Sequence, residues 1–279
     1  MEKLLLGKNV ADKLKQEVRE KVEALKNRSI EPKLSIVRVG EKPDDIAYQK
    51  GATKTMEDLG IKVEVIELAQ ETTTAQLADV MEKLNHDDKV HGVLMLRPLP
   101  AHIDENMIRD LLVAHKDIDC MSELALAGVL EPKRALKKPC TPQAVIEILK
   151  HYDIEMSGKN AVVLGRSTVI GKPVALLLTD ENATVTLCHS RTKDLADVCR
   201  NADILVSAIG KAKFVTKDFV KEGAVVIDVG INFDEEGKMV GDVDLDAVLD
   251  KVAGITPVPR GVGSVTTTVL AMNLINGIK

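Results

Sequence analysis

Apolar positions along this chain follow two rhythms in alternation. Residues 34–39, 62–68 and 90–96 are short runs rich in β-branched and aliphatic side chains, which reads as strands. Between them, 47–59 and 74–84 repeat their apolar positions at helical spacing, with Thr72, Thr73 and Thr74 offering caps for the second helix. The rhythm breaks near 130–142, where Glu131-Pro132, Pro139 and Thr141-Pro142 cluster. Pro142 then opens a new apolar helix in the position proline favours, the first turn. Beyond that point the strands 160–164, 183–187, 204–208 and 224–229 alternate with helices at 171–178 and 194–200. Strand, helix, strand, helix, strand and a further strand is the frame of a doubly wound parallel sheet. The last segment, 266–277, reads as a helix that returns to the first domain. The pattern therefore predicts an α/β protein of two domains, one of 1–138 with 266–279 and one of 139–265.

Composition narrows the function classes. A chain of 279 residues accommodates two domains, and 45% hydrophobic with 29% charged residues is ordinary for a globular protein. Two Tyr, three Phe and no Trp argue against a stacking platform for single strands, and a net charge of −5 leaves no basic field for nucleic acid. The N-terminal apolar run is three leucines, too short for a signal peptide, and no stretch approaches a membrane span. A cytoplasmic protein without membrane or nucleic-acid partners is the expectation. The four cysteines, Cys120, Cys140, Cys188 and Cys199, are scattered without a CxxC pair, and the histidines show no HxxxH or HExxH spacing, so no metal site is expected. Asp117 beside Asp119 reads as a turn or cap device.

The segment AVVLGRSTVIGKP places Gly165 at the end of a buried strand and Gly171 where a helix begins. A tight turn there aims backbone N–H groups at a pyrophosphate. The spacing is G-x-S-x-x-x-G, so the glycines by themselves are a weak signal. The next strand ends in His189, Ser190 and Arg191, with Arg166 nearby, where an NAD site offers a carboxylate. Cations and a hydroxyl suit a 2′-phosphate, so the preferred cofactor is NADP. Two further strands finish in small residues, at Ser207–Gly210 and at Gly230-Ile231-Asn232, which lets a ring approach the backbone. The second domain is thus expected to be Rossmann-like.

The motifs GRSTVIGKP, TVTLCHSRT, ADILVSAIG, GAVVIDVGIN, GDVD and ITPVPRGVG, in this order, resemble the methylenetetrahydrofolate dehydrogenase/methenyltetrahydrofolate cyclohydrolase family. In the first domain Gly7-Lys8, the helix of Tyr48, GVLMLRPLP, KDIDCM and PCTPQA extend the resemblance over nearly the whole chain. It implies a homodimer of two-domain protomers acting on tetrahydrofolate derivatives in one-carbon metabolism. Hydride passes from 5,10-methylene-tetrahydrofolate to NADP, and most members then hydrolyse the methenyl product. The resemblance assigns NADP contacts to Gly165, Arg166, Ser167, Ser190 and Ile231, beside the Arg191 already read from the strand end. It assigns the folate side to Tyr48, Ala52, Met95, Leu96, Arg97 and Asp119 and to the loop of Pro259, Gly261 and Gly263, with Tyr48 and Asp119 as the catalytic pair. A carboxylate at 119 accepts two N–H bonds from the pterin edge, and a tyrosine ring stacks on the substrate's aromatic part.

The sequence departs from that family where the second reaction is performed. The family's Tyr-x-x-x-Lys puts its lysine at position 52, which is Ala52, and the glutamine of Gln-Leu-Pro-Leu-Pro falls on Leu96. Lys50 and Lys54 point away from the face of Tyr48 at about 100° per residue. Cys120, Arg260 and Ser264 replace a glycine, a glycine and a proline. Neither Ala nor Leu can polarise or deprotonate a water, whereas hydride transfer depends chiefly on positioning. The expectation is a dehydrogenase with weak or absent cyclohydrolase activity, Arg97 being a candidate replacement cation. The rivals are a fully bifunctional enzyme, an NADP oxidoreductase of another small molecule, and a non-catalytic folate or NADP sensor.

Overall fold

The structure, a computed structural model, describes residues 3–135 and 137–278. It divides into two compact units, one of Lys13–Cys140 with Thr267–Lys279 and one of Met1–Asp12 with Thr141–Thr266.

In the unit that starts at Lys13, chain order runs α1 (Gly7–Asn27), β1 (Lys33–Val39), α2 (Pro43–Asp58), β2 (Lys62–Leu68), α3 (Thr74–His86), β3 (Gly92–Met95), α4 (Glu105–Leu111) and α5 (Glu123–Ala127). The pattern reading assigns nothing to α1, yet Leu14, Val18, Val22 and Leu25 are buried at three- and four-residue spacing between charged residues. The three strands are parallel in the order β2-β1-β3. Central β1 is buried on both faces at Leu34, Ile36, Val37 and Val39, as a strand covered by helices must be. Of the three candidate threonines, Thr73 caps α3: its hydroxyl accepts from Gln76 N at 3.3 Å while Gln76 Oε1 accepts from Thr73 N at 2.9 Å.

A parallel bridge between Val93 and Asp117 continues this sheet beyond β3. Buried Lys116 anchors the added segment, donating to the carbonyls of Leu84, Asn85 and Asp87 at 2.8, 2.9 and 2.8 Å. Those are the open carbonyls at the end of α3, and the ammonium has three donors to match them.

The other unit contains α6 (Cys140–His151, entered from Thr141), β4 (Asn160–Leu164), α7 (Gly171–Asp180), β5 (Thr184–Cys188), α8 (Leu195–Arg200), β6 (Ile204–Ser207) and β7 (Val225–Asp228). A small antiparallel hairpin of β8 (Asn232–Phe233) and β9 (Met239–Val240), α9 (Leu245–Val248), β10 (Gly254–Ile255) and the start of α10 (Gly263–Asn276) complete it. Its five-stranded sheet is parallel throughout, in the order β10-β7-β6-β4-β5. The chain moves from β4 to one side and then crosses back to β6 on the other. The β4/β6 boundary is therefore the topological switch point, outside whose carboxyl ends ligands bind in such sheets.

The N-terminal stretch departs from the expected division at 138. Residue Leu4 bridges Ile255 in parallel, Leu5 N donates to Ile255 O at 2.8 Å, and Ile255 N donates to Lys3 O at 2.7 Å. These residues lengthen the free edge of β10, so they belong with the five-stranded sheet. Tyr152 Oη closes the same corner on Leu6 O at 3.0 Å. At the other end of the chain, Asn273 of α10 donates to Ile118 O and Lys138 O, both at 2.8 Å, and a Cβ on Gly92 of β3 would lie 2.9 Å from Leu274. The C-terminal helix does return to the first sheet.

Candidate active site

Of the residues assigned to the folate side, Tyr48, Met95, Leu96, Arg97 and Asp119 gather at the carboxyl edge of the three-stranded sheet, whereas Pro259, Gly261 and Gly263 lie in the other unit. Register brings Val37 abreast of Met95, and Val93 abreast of Asp117, so Asp119 falls level with the end of β3. Arg97 follows directly. Its guanidinium lies 3.8 Å from Asp119 Oδ2 and 3.6 Å from Glu105 Oε1. Arg97 therefore lies beside Asp119 with only 20% of its side chain exposed. The helix that leaves β1, α2, carries Tyr48 to the same place, where its hydroxyl is held above the usual range by burial first, then by Asp119 and Cys140. The residue as a whole remains 40% exposed.

Asp119 keeps a third of its side chain open, 33%, at the edge of this cluster. Burial pushes its carboxyl up to about 6; Arg97 pulls against that shift, Asp117 adds to it, and the Cys140 thiol lowers it again. Above pH 6 it is an ionised acceptor. Asp117, by contrast, is fully buried and spends its oxygens on Met121 N at 3.1 Å, Ser122 N at 2.8 Å and Ser122 Oγ at 2.7 Å. Asp117 thus braces the turn that leads into α5, whose own N-cap is Ser122, the turn device among the two roles read from the sequence.

Position 52 is closed. Ala52 is 0% exposed and shares the buried face of α2 with Gln49 and Met56, while Lys50 and Lys54 are exposed. Met95 and Leu96 are buried as well. Gln49 is held by Arg38, whose Nε donates to Gln49 Oε1 at 2.7 Å and whose other arm pairs with Glu67 at 2.6 Å, which fixes α2 against the end of β1. Cys120 and Arg260, both standing where the family pattern has glycine, adopt left-handed backbone at φ 53° and 81°. Each carries the cost that a Cβ meets there, about 1 kcal/mol.

At the switch point of the five-stranded sheet, Gly165 has φ +120° and a Cβ would stand 2.3 Å from Ala208 O. A Cβ on Gly171 would stand 2.0 Å from Gly165 O. The two glycines let the turn close tightly over the ends of β4 and β6. Ser167 Oγ accepts from Ile170 N at 3.1 Å and Gly171 N at 3.4 Å, shaping the entry to α7, and Arg166 is exposed beside it. After β5 a compact turn, with Thr192 N on His189 O at 2.9 Å and Arg191 N on His189 Nδ1 at 3.1 Å, leaves Ser190 and Arg191 exposed. Ile231, 59% exposed, shares a pocket of about 290 Å³ with Met239 and the segment that includes Pro259, Gly261 and Gly263. Gly7 packs on this segment, donating from its N to Arg260 O at 2.9 Å.

Two residues of this edge were not singled out from the sequence. Asp242, fully buried, accepts from Ser207 Oγ at 3.1 Å, Ile209 N at 2.7 Å, Lys211 N at 2.9 Å and Asn232 Nδ2 at 3.0 Å. Asp228 accepts from Gly230 N at 3.1 Å, Asp242 N at 3.0 Å and Val243 N at 2.9 Å. Burial raises the Asp228 carboxyl to about 7 against those backbone donors. The signal was present: a carboxylate inside the apolar run AVVIDVG has to find partners. On the folate side, Glu105 and Cys140 were missed for want of any local signal. Among the described residues no group of three or more His, Cys, Asp or Glu could hold a metal, and no helix is long and apolar enough to cross a membrane.

Residues 139–279 match the tetrahydrofolate dehydrogenase/cyclohydrolase NAD(P)-binding domain, and residues 5–119 the catalytic domain of the same family. The chain is 51% identical to the bifunctional protein FolD of Clostridioides difficile, covering 99% of this chain and 96% of that one. It is 53% identical to the bifunctional protein FolD of Alkaliphilus oremlandii, covering 100% and 98%. The crystal structure of the bifunctional enzyme FolD, a methylenetetrahydrofolate dehydrogenase/cyclohydrolase, from Campylobacter jejuni superposes with a TM-score of 0.95 at 40% identity, covering 98% of this chain and 97% of that one. The Trypanosoma brucei dehydrogenase-cyclohydrolase, solved with NADP cofactor and inhibitor, gives 0.93 at 36% identity, covering 98% and 96%. The chain belongs to the tetrahydrofolate dehydrogenase/cyclohydrolase family.

Proposed function

We propose that this chain oxidises 5,10-methylene-tetrahydrofolate to 5,10-methenyl-tetrahydrofolate with NADP, and that its hydrolysis of the methenyl product is weak or absent. The observation that carries the second half is the closed, apolar position 52: Ala52 is fully buried, Leu96 is buried, and Lys50 and Lys54 face solvent. No side chain at 52 or 96 can draw a proton from an attacking water.

The strand ends of the second unit fit the cofactor. Gly165 and Gly171 leave no room for a Cβ, so the backbone is bare where a pyrophosphate approaches the start of α7. Gly165, Arg166 and Ser167 would hold the diphosphate, Ser190 and Arg191 the 2′-phosphate, and Ile231 the nicotinamide end. When bound, NADP supplies the hydride acceptor. Asp119, ionised above pH 6, holds two N–H donors of the pterin edge and fixes the ring that carries the reacting carbon. Tyr48 covers that ring with its own. Tetrahydrofolate derivatives are thus the substrate class, and a homodimer in the cytoplasm is the expected setting.

The assay pair is direct. NADPH should form from methylene-tetrahydrofolate at an enzymic rate, while methenyl-tetrahydrofolate supplied without cofactor should lose its absorbance at the buffer rate. Enzymic hydrolysis abolished by a change at Tyr48 or Arg97 would overturn the monofunctional reading. An absence of NADPH formation would favour a non-catalytic sensor. Asp119→Ala should weaken tetrahydrofolate binding on the order of 100-fold, from two charge-assisted bonds. Arg191→Ala should lower the ratio of kcat/KM for NADP over NAD about ten-fold, the value of one such bond; an unchanged ratio would remove Arg191 from the 2′-phosphate site.

A further inference from the structure

Asp119 stands among acidic groups, two of them carboxylates and the rest neutral thiols and a neutral phenol. Its own segment brings Asp117 and the Cys120 thiol, α6 brings the Cys140 thiol, and α2 brings the Tyr48 phenol. Glu105 of α4 reaches the same guanidinium from the other side. Lys137, a cation beside Asp117, spends its ammonium on the carbonyls of Ala114, His115 and Asp117 at 2.9, 2.6 and 3.3 Å. Arg97 is the cation whose charge bears on the Asp119 carboxyl. Its side chain is 20% exposed, so water screens the pair only in part.

The separation is informative. At 3.8 Å from Asp119 Oδ2 and 3.6 Å from Glu105 Oε1, the guanidinium is beyond hydrogen-bonding distance of either carboxylate. It lends Asp119 its charge without itself occupying a lone pair of either carboxylate. We propose that Arg97 is a positioning residue for the pterin edge: it supplies the counter-charge that keeps Asp119 an acceptor-only carboxylate, so that two N–H donors of one ligand edge are held at once. This rests on the folate reading of the site. Protonated, Asp119 would turn one oxygen into a donor and set it against a ligand N–H. Arg97 therefore acts through Asp119 on substrate affinity and on the pH range of recognition, and leaves the reacting carbon untouched.

The test compares Arg97→Gln and Arg97→Lys with wild type, measuring kcat/KM for methylene-tetrahydrofolate from pH 5.5 to 9 and equilibrium tetrahydrofolate binding at pH 6 and 8.5. Arg97→Gln should move the acid limb up by about one pH unit, a usual shift for loss of one nearby charge. Binding should then fall about five-fold at pH 6 and less than about two-fold at pH 8.5, with the loss in KM and not in kcat. Arg97→Lys should keep the wild-type limb. Glu105→Gln, which removes the competing carboxylate, should move the limb down and serves if Arg97→Gln fails to fold. A limb that stays in place in both variants, or an equal loss at both pH values, overturns the proposal. Wild type that binds no tetrahydrofolate at any pH overturns the folate reading instead, and this inference with it.

Discussion

Asp242→Ala should lower the melting temperature by about 10 °C, the largest stability loss expected from any single change in this chain. The residue is completely buried and accepts four hydrogen bonds, from Ser207 Oγ, Ile209 N, Lys211 N and Asn232 Nδ2. Alanine leaves all four donors without their acceptor. Each orphaned donor costs about 1 kcal/mol or more, partly recovered where water reaches the loop, for a total on the order of 3–5 kcal/mol. There is a second effect, since Asp242 ties the loop after β6 to the loop after β7. A calorimetric scan of the variant beside Asp218→Ala, which touches no such network, separates the two cases. A shift under about 2 °C would mean that the loops hold themselves.

Gly165→Ala should weaken NADP binding on the order of 100-fold while leaving tetrahydrofolate binding in place. The new Cβ would sit 2.3 Å from Ala208 O and 3.0 Å from Ala208 C, both backbone atoms of the β6 end, at a φ of +120°. Neither neighbour can swing aside as a side chain would. The turn has to open, at a cost of about 3 kcal/mol, which is about two decades in affinity. Gly223→Ala is the fitting control: its φ is +75° but nothing lies within 4 Å of its Cβ. That variant should lose some stability and keep its NADP affinity. Titrating NADP into both proteins decides the matter, and equal affinities would mean that the glycine turn does not frame the cofactor.

These expectations draw on two kinds of information in the chain. Alternating strands and helices were legible because periodicity is a local property. A β-branched run such as 160–164 can hide both faces only in a covered sheet. The same local logic located Gly165, Ser190 and Arg191, which stand at fixed offsets from strand ends, and placed Ala52 one helical turn from Tyr48. An Asp-x-Asp in a loop reads as a turn or cap device by the same local logic. The helix α1 was equally local, with its stripe of Leu14, Val18, Val22 and Leu25 in plain view.

What the sequence by itself determined, then, is the order of the longer strands and of the helices between them, and the residues that leave the strand ends of the second unit. Tertiary structure alone decided which strand edges were free to take a partner. Residues 3–5 joined β10, some 250 positions away, because that edge had open backbone groups. Asp119 met Arg97 because 117 paired beside β3, and Asp242 met Ser207 and Asn232 because three strand-end loops converge on one buried carboxylate. Periodicity says which face of a segment is apolar. It is silent on which other segment covers that face, since many apolar faces would serve about equally, and the choice falls to backbone hydrogen bonds and buried charges that must all be satisfied together.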